Sequence, residues 1–180
     1  REILDQTSER LSEELGDQPA VEATLRSVLG VTYMEMGELD LADPHFRRAL
    51  EIREEIGELS SEDRATDLNN MGVFLAAREE TEEAEPYYRE ALALRKELLG
   101  DDDPEVAATI TDLGNLYVDR DEYEEAEKLL REALEIERRF APLYKRNMYG
   151  NYMNTRELRF PVDPYPPPGD ADPWGRVVLI

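Results

Sequence analysis

The sequence predicts an all-α fold built from repeated helix pairs, and three observations predict it. Residue types recur every 42 positions. Leu29-Gly30, Met71-Gly72 and Leu113-Gly114 form one column, and Ala49-Leu50, Ala91-Leu92 and Ala133-Leu134 a second. Ala42, Ala84 and Ala126 make a third, and the bulky residues Phe46, Tyr88 and Leu130 a fourth. Within a unit the apolar spacing is helical: Val28, Leu29, Tyr33 and Met36 share one stripe, and Leu41, Ala42, Phe46, Ala49, Leu50 and Ile56 another. Helix-start signals fall where the stripes begin. Asp103-Pro104 supplies an N-cap and a proline at the first helical position, Ser61 can cap, and Asp121-x-x-Glu124 can form a capping box.

Taken in order, residues 1–16 fit the second helix of a partial unit, because Leu4 falls in the Phe46/Tyr88/Leu130 column. Three full units follow at about 17–58, 59–100 and 101–140, with a short turn at Gly37-Glu38 in the first. Glycines 30, 72 and 114 and the alanine columns let two helices approach closely while the large column fills the gaps. Pro44 and Pro86 fall in the opening turns of the second helices, so those helices are expected to begin late or to bend. Residues 141–160 leave the period, yet Leu143, Tyr144, Met148, Tyr152 and Met153 can form one stripe. They predict a capping helix over the end of the third unit, with Gly150 as a point of interruption. Its bases Lys145, Arg146, Arg156 and Arg159 would lie near the acidic repeats.

The chain closes on "PVDPYPPPGDADPWGRVVLI", whose prolines remove donors and fix φ. An extended, non-helical, proline-rich tail over 161–180 is expected. Tyr165, Trp174, Val178 and Ile180 are apolar enough to dock it on the repeats, its own or those of another copy.

Composition narrows the function. The chain has 180 residues, 41% hydrophobic and 36% charged, with 21 Lys+Arg against 43 Asp+Glu for a net charge of −22. Residues 141–180 hold five bases and four acids, which leaves a net −23 on residues 1–140. Such a field repels nucleic acid and anionic lipid and favours basic or neutral partners. There is no cysteine, so disulfides, thiolate chemistry and Cys-ligated zinc are excluded, in keeping with a reducing, cytoplasmic setting. No apolar run approaches the roughly 20 residues that span a bilayer, and no signal peptide is recognisable. The start at Arg1 reads as a piece of a longer chain.

Catalytic signals are missing. His45 is the single histidine, and its column holds Tyr87 and Leu129, so packing is expected rather than catalysis. No glycine-rich phosphate loop occurs. Asp101-Asp102-Asp103 lacks the glycine and distal glutamate of an EF-hand loop and reads as a turn and cap. Neither enzyme activity, cofactor nor metal is expected.

"LGVTYMEMGELDLADPHFRRALEI" and "LGNLYVDRDEYEEAEKLLREALEI" resemble tetratricopeptide repeats. The 42-residue spacing, with "LNNMGVFL" and "EEAEPYYREALALRKELLGDDDPEVA", is similar to the long variety of kinesin light chains and many bacterial proteins. The opening stretch through Arg53 also resembles the repeat region that follows the catalytic domain of some bacterial serine/threonine kinases.

The resemblance implies a right-handed superhelix whose first helices line a concave, peptide-gripping face. In the first unit that face carries Thr24, Ser27, Val31, Met34 and Glu35; in the second Thr66, Asn69, Asn70, Val73, Ala76 and Ala77. In the third it carries Ala108, Thr111, Asn115, Val118 and Asp119. Asn69, Asn70 and Asn115 are candidates for holding a peptide main chain, because an amide both donates and accepts; bonding between helices is the alternative. Repeats that clamp a C-terminal carboxylate use lysine and arginine beside asparagine, whereas Ser27, Asn69 and Thr111 stand here, so a carboxylate clamp is not expected. Nor is the preference of kinesin light chains for acidic, tryptophan-containing peptides. The expected function is a protein–protein interaction module. A self-associating scaffold and a regulatory appendage of a bacterial kinase are the alternatives.

Overall fold

Six α-helices and no strand are formed by the residues that the computed structural model describes: 10–11, 14–59 and 61–150, with side chains through Arg139. They are α1 (Pro19–Glu35), α2 (Leu39–Glu55), α3 (Glu62–Ala77), α4 (Thr81–Leu99), α5 (Pro104–Asp119) and α6 (Tyr123–Gly150). Contacts divide the chain into residues 1–142 and 143–180, and of the second part only the helical backbone of 143–150 is described. Within the first part, α1 packs on α2 and α3 on α4, each pair lies against the next, and the first helices touch in series, α1 on α3 and α3 on α5. This is an all-α helical repeat.

Each pair closes around a missing side chain. A Cβ placed on Gly30 would lie 2.7 Å from the Phe46 ring, and one on Gly72 would lie 2.8 Å from the Tyr88 ring. On Gly114 it would meet Leu130 at 2.8 Å. Close approach to a buried ring therefore calls for glycine at 30 and 72, as the spacing predicts, whereas at 114 the half-buried Leu130 side chain would have to shift; φ is ordinary at all three. The large residues then join the pairs: Phe46 of α2 meets Phe74 of α3 with ring centroids 5.4 Å apart. One apolar cluster runs from Leu11 through Tyr33, Met71, Leu75, Tyr88 and Leu113 to Ala126.

The turns inside the pairs also repeat. Gly37, Glu79 and Asp121, spaced 42 apart, all have positive φ, at 77°, 63° and 62°. The following N–H reaches back to the same place each time: Glu38 to the Tyr33 carbonyl, Glu80 to Leu75 and Glu122 to Tyr117. These are Schellman closures, in which a left-handed residue lets the helix end satisfy its last carbonyls. Asp121 is thus spent on the turn, and α6 starts at Tyr123. The capping box expected at Asp121–Glu124 does not form. The other two start signals do: the Ser61 hydroxyl accepts from the Arg64 N–H at 3.1 Å, and the Asp103 carboxylate from the Glu105 N–H at 2.8 Å.

Pro44 and Pro86 do not delay their helices. α2 already begins at Leu39 and α4 at Thr81, so both prolines sit inside. The carbonyls they leave without a donor belong to Asp40 and Glu82, which are exposed in the first turn where water can reach them. His45 is buried, its ring stacked on Tyr33 at 5.5 Å and 14°, the packing role its column predicts. Burial, followed by the nearby Arg26 charge, lowers its pKa.

The opening segment 1–16 contributes helical residues at 10, 11 and 14, with Leu11 buried. Leu4 lies outside the described residues. α6 passes residue 141 without a break and reaches Gly150. The rest of the expected capping helix, 151–160, lies outside the described residues, as does the tail 161–180 with Tyr165, Trp174, Val178 and Ile180.

A polar network fastens the second pair to the third. Glu85 of α4 accepts from Arg120 at 2.6 Å, Arg89 at 2.7 Å and the Tyr117 hydroxyl at 2.8 Å. Burial alone would raise this carboxyl, but the hydrogen bonds from Arg120, Arg89 and Tyr117 outweigh it and hold the pKa at about 2, below the ordinary 4.5. A depressed carboxylate contributes stability above its unfolded pKa, and that contribution fades as pH falls through the folded value. Stability should therefore drop between pH 4.5 and about 2, and Glu85→Gln should flatten that acid limb. Urea midpoints across the window read the effect; a Glu85→Gln limb as steep as the parent's would assign the acid sensitivity elsewhere.

Candidate functional site

The face shared by α1, α3 and α5 carries the residues that the sequence assigns to a groove, but not all in one place. Between α1 and α3 lies a cleft of about 240 Å³. Thr24, Ser27, Val31, Thr66 and Asn70 line it together with Val28, Thr32, Arg53, Asp63 and Asp67. Met34 and Val73 are half-buried outside that cleft, Thr111 is half-buried on α5, and Asn115 is exposed there. Val118 joins a separate, open apolar hollow with Tyr123, Ala126, Leu130 and Leu134 at the far edge of α5 and α6.

The asparagines divide. Asn70 donates its amide to the Ser27 hydroxyl at 3.1 Å, tying α3 to α1. Asn69 is buried and donates to an Asp112 carboxylate oxygen at 2.9 Å, tying α3 to α5. Both amides thus bond between first helices, which was the alternative reading of them. Asn115 is the one of the three left exposed.

The floor of the cleft is ionic. Arg53 reaches up from α2 with 1% of its side chain exposed. Its Nε donates to Asp67 at 2.9 Å, its Nη1 to Glu58 at 2.7 Å and its Nη2 to the Thr24 hydroxyl at 2.9 Å. Burial pushes the Asp67 carboxyl up, against hydrogen bonds from Ser27 and Arg53 that pull it down. One pair later Arg95 holds the equivalent place, donating to the Thr109 hydroxyl at 2.5 Å and pairing with Glu105 at 2.9 Å. Reading outward from the first-helix columns misses these arginines. The signal was present: Arg53 and Arg95 are 42 apart, and each is followed 14 residues later by its buried partner.

The lining of this face runs from polar to apolar. Among the described residues no group of three His, Asp or Glu side chains could hold a metal, and no helix is long and apolar enough to cross a membrane.

A stack of antiparallel helix pairs, with small residues at each crossing and its first helices sharing one face, defines a helical repeat protein of the interaction-module class. The chain belongs to the tetratricopeptide repeat family, whose family model matches residues 20–97 and again 63–139. Such repeats are in general protein–protein interaction modules and non-catalytic. Among solved structures the chain is similar to BtubC (BKLC) from P. vanneervenii, with 23% identity and a TM-score of 0.64 over 89% of this chain and 63% of that one. It is also similar to a putative kinesin light chain with nearly identical TPR-like repeats from Podosopora anserina, with 17% identity and a TM-score of 0.66 over 78% and 66%. The TPR domain of Arabidopsis FLU matches at 19% identity and a TM-score of 0.56, over 66% of this chain and 93% of that domain. At these identities the likeness is one of fold. The chain spans 63% of the BtubC chain. No curated protein sequence matches it significantly.

Proposed function

We propose that the face formed by α1, α3 and α5 binds an extended peptide segment of a basic or neutral partner protein. The observation that carries this reading is the cleft between α1 and α3, walled by small residues and opened by Thr24 and Thr66, both exposed. Membership of an interaction-module family supports it, and so does the absence of lysine and arginine from the groove columns on α1, α3 and α5. The net −23 on residues 1–140 favours basic partners and makes association fade as salt rises, because exposed charges are largely screened beyond about 8 Å at physiological ionic strength.

The test is selection of binders from a displayed random dodecapeptide library, followed by photo-crosslinking. A benzophenone amino acid at Thr66 or Asn115 should capture the selected peptides, and one at the exposed Glu97 of α4 should not. Capture from Glu97 alone would overturn the groove. A second reading, self-association, is favoured by the hollow on α5 and α6, where Tyr123 is 61% and Leu134 40% exposed. Light scattering would show mass rising with concentration, and Leu134→Glu would abolish the rise.

A further inference from the structure

The first helices are joined by two hydrogen bonds of the same kind, each spanning 43 residues: Asn70 to Ser27 and Asn69 to Asp112. Asn70 and Asp112 hold equivalent positions, 42 apart, in successive repeats. At the first junction a neutral amide suffices. At the second the same place holds a carboxylate, although an asparagine there could accept from Asn69 equally well. The charge is not needed for the bond.

Among the described residues that charge is also left without an ion partner. Asp112 is half-buried, and among the described residues no cation lies within the 4.0 Å of an ion pair. Arg95 attracts it from farther away, but Arg95 is engaged by Glu105 and Thr109. Behind it, Asn69 Oδ1 is buried with no hydrogen-bond partner. The junction therefore has acceptors in excess and donors in deficit. The buried carboxylate of the first cleft, Asp67, by contrast has Arg53 at 2.9 Å. A partly buried carboxylate that lacks such a partner costs the free protein stability, since burial disfavours its charged form.

We propose that Asp112 is a cation-receiving subsite: it takes the ammonium or guanidinium of a lysine or arginine side chain from the bound peptide, at the junction of α3 and α5. This rests on the groove reading above and deepens it. The occupant follows from charge complementarity. The groove columns carry no cation of their own, the repeats are strongly acidic, and the deficit is one of donors, which is all an ammonium or guanidinium offers.

The probes are the dodecapeptides selected on the wild-type chain, resynthesised with each lysine replaced by norleucine and each arginine by citrulline. One such replacement should weaken binding by roughly tenfold or more, the scale of one charge-assisted contact. Asp112→Asn should cause the same loss and make the replacement silent, whereas Glu97→Gln, which removes a charge from α4, should change affinity little. Free Asp112→Asn should melt a few degrees higher than wild type, because the neutral side chain escapes the cost of burying a charge. A purely structural aspartate would show the opposite sign. Peptides that crosslink from Thr66 or Asn115 yet tolerate every neutral replacement, or bind Asp112→Asn unchanged, overturn the subsite and leave the groove standing. A library that yields no binder captured from those positions overturns both.

Discussion

Phe46→Ala is expected to cost about 3–5 kcal/mol, the range for truncating a fully buried phenylalanine. The ring is 1% exposed and does two jobs. It closes the first pair by lying over Gly30, and it joins that pair to the next through Phe74, 5.4 Å away between centroids. Losing it opens both contacts at once. The arrangement also makes a prediction about sign. Alanine at position 30 gains about 1 kcal/mol of helix propensity over glycine. In the wild-type chain its Cβ would stand 2.7 Å from the ring, so Gly30→Ala should be destabilising by about 1–3 kcal/mol, as overpacking is. In a Phe46→Ala background the obstacle is gone and the added methyl fills part of the cavity, so the same change should become stabilising. Urea midpoints of the four proteins measure the coupling. If Gly30→Ala costs the same with and without the ring, the glycine is not there for close approach.

Arg53→Ala should be comparably severe, about 3–5 kcal/mol, because it strands a buried partner. Asp67 is 3% exposed and is left as a buried carboxylate without its guanidinium. Glu58 and the Thr24 hydroxyl lose their bonds too. The remedy is to remove both charges. Arg53→Leu with Asp67→Leu should recover most of the loss, since apolar replacement of a buried ion pair is often neutral or better. The positions 42 before Arg53 and Asp67 hold two leucines, Leu11 buried and Leu25 40% exposed. The loss should also depend on pH. Burial already pushes the Asp67 carboxyl up, and without Arg53 it rises further. A group whose folded pKa lies above its unfolded value stabilises at low pH and loses that contribution as pH rises through it. Arg53→Ala should accordingly cost more at neutral than at mildly acidic pH. A loss that is independent of pH, or a double leucine variant no better than the single alanine, would show that the ion pair is not what holds this junction.

Two junctions at the same structural place therefore use different chemistry. One is set by Arg53 and Asp67, the other by Arg95 and Thr109.

What the sequence by itself determined is whatever is local or periodic. The all-α repeat class, the glycine-to-bulky-residue crossings, the caps at Ser61 and Asp103 and the packed place of His45 all follow from neighbours three or four residues apart or from columns 42 apart. Helical geometry makes such spacings readable, because residues at i+3 and i+4 share a face whatever the rest of the molecule does. Tertiary structure decided the polar partners. Asn69 meets Asp112 across 43 residues, Tyr117 meets Glu85 across 32, and Arg53 meets Thr24 across 29. It also decided that Asp121 serves a left-handed turn instead of a cap, and that Pro44 and Pro86 ride inside helices whose first turns face water. A side chain with several possible acceptors is committed by whichever one the packing of the next repeat brings within 3 Å, and no spacing along a single helix contains that choice.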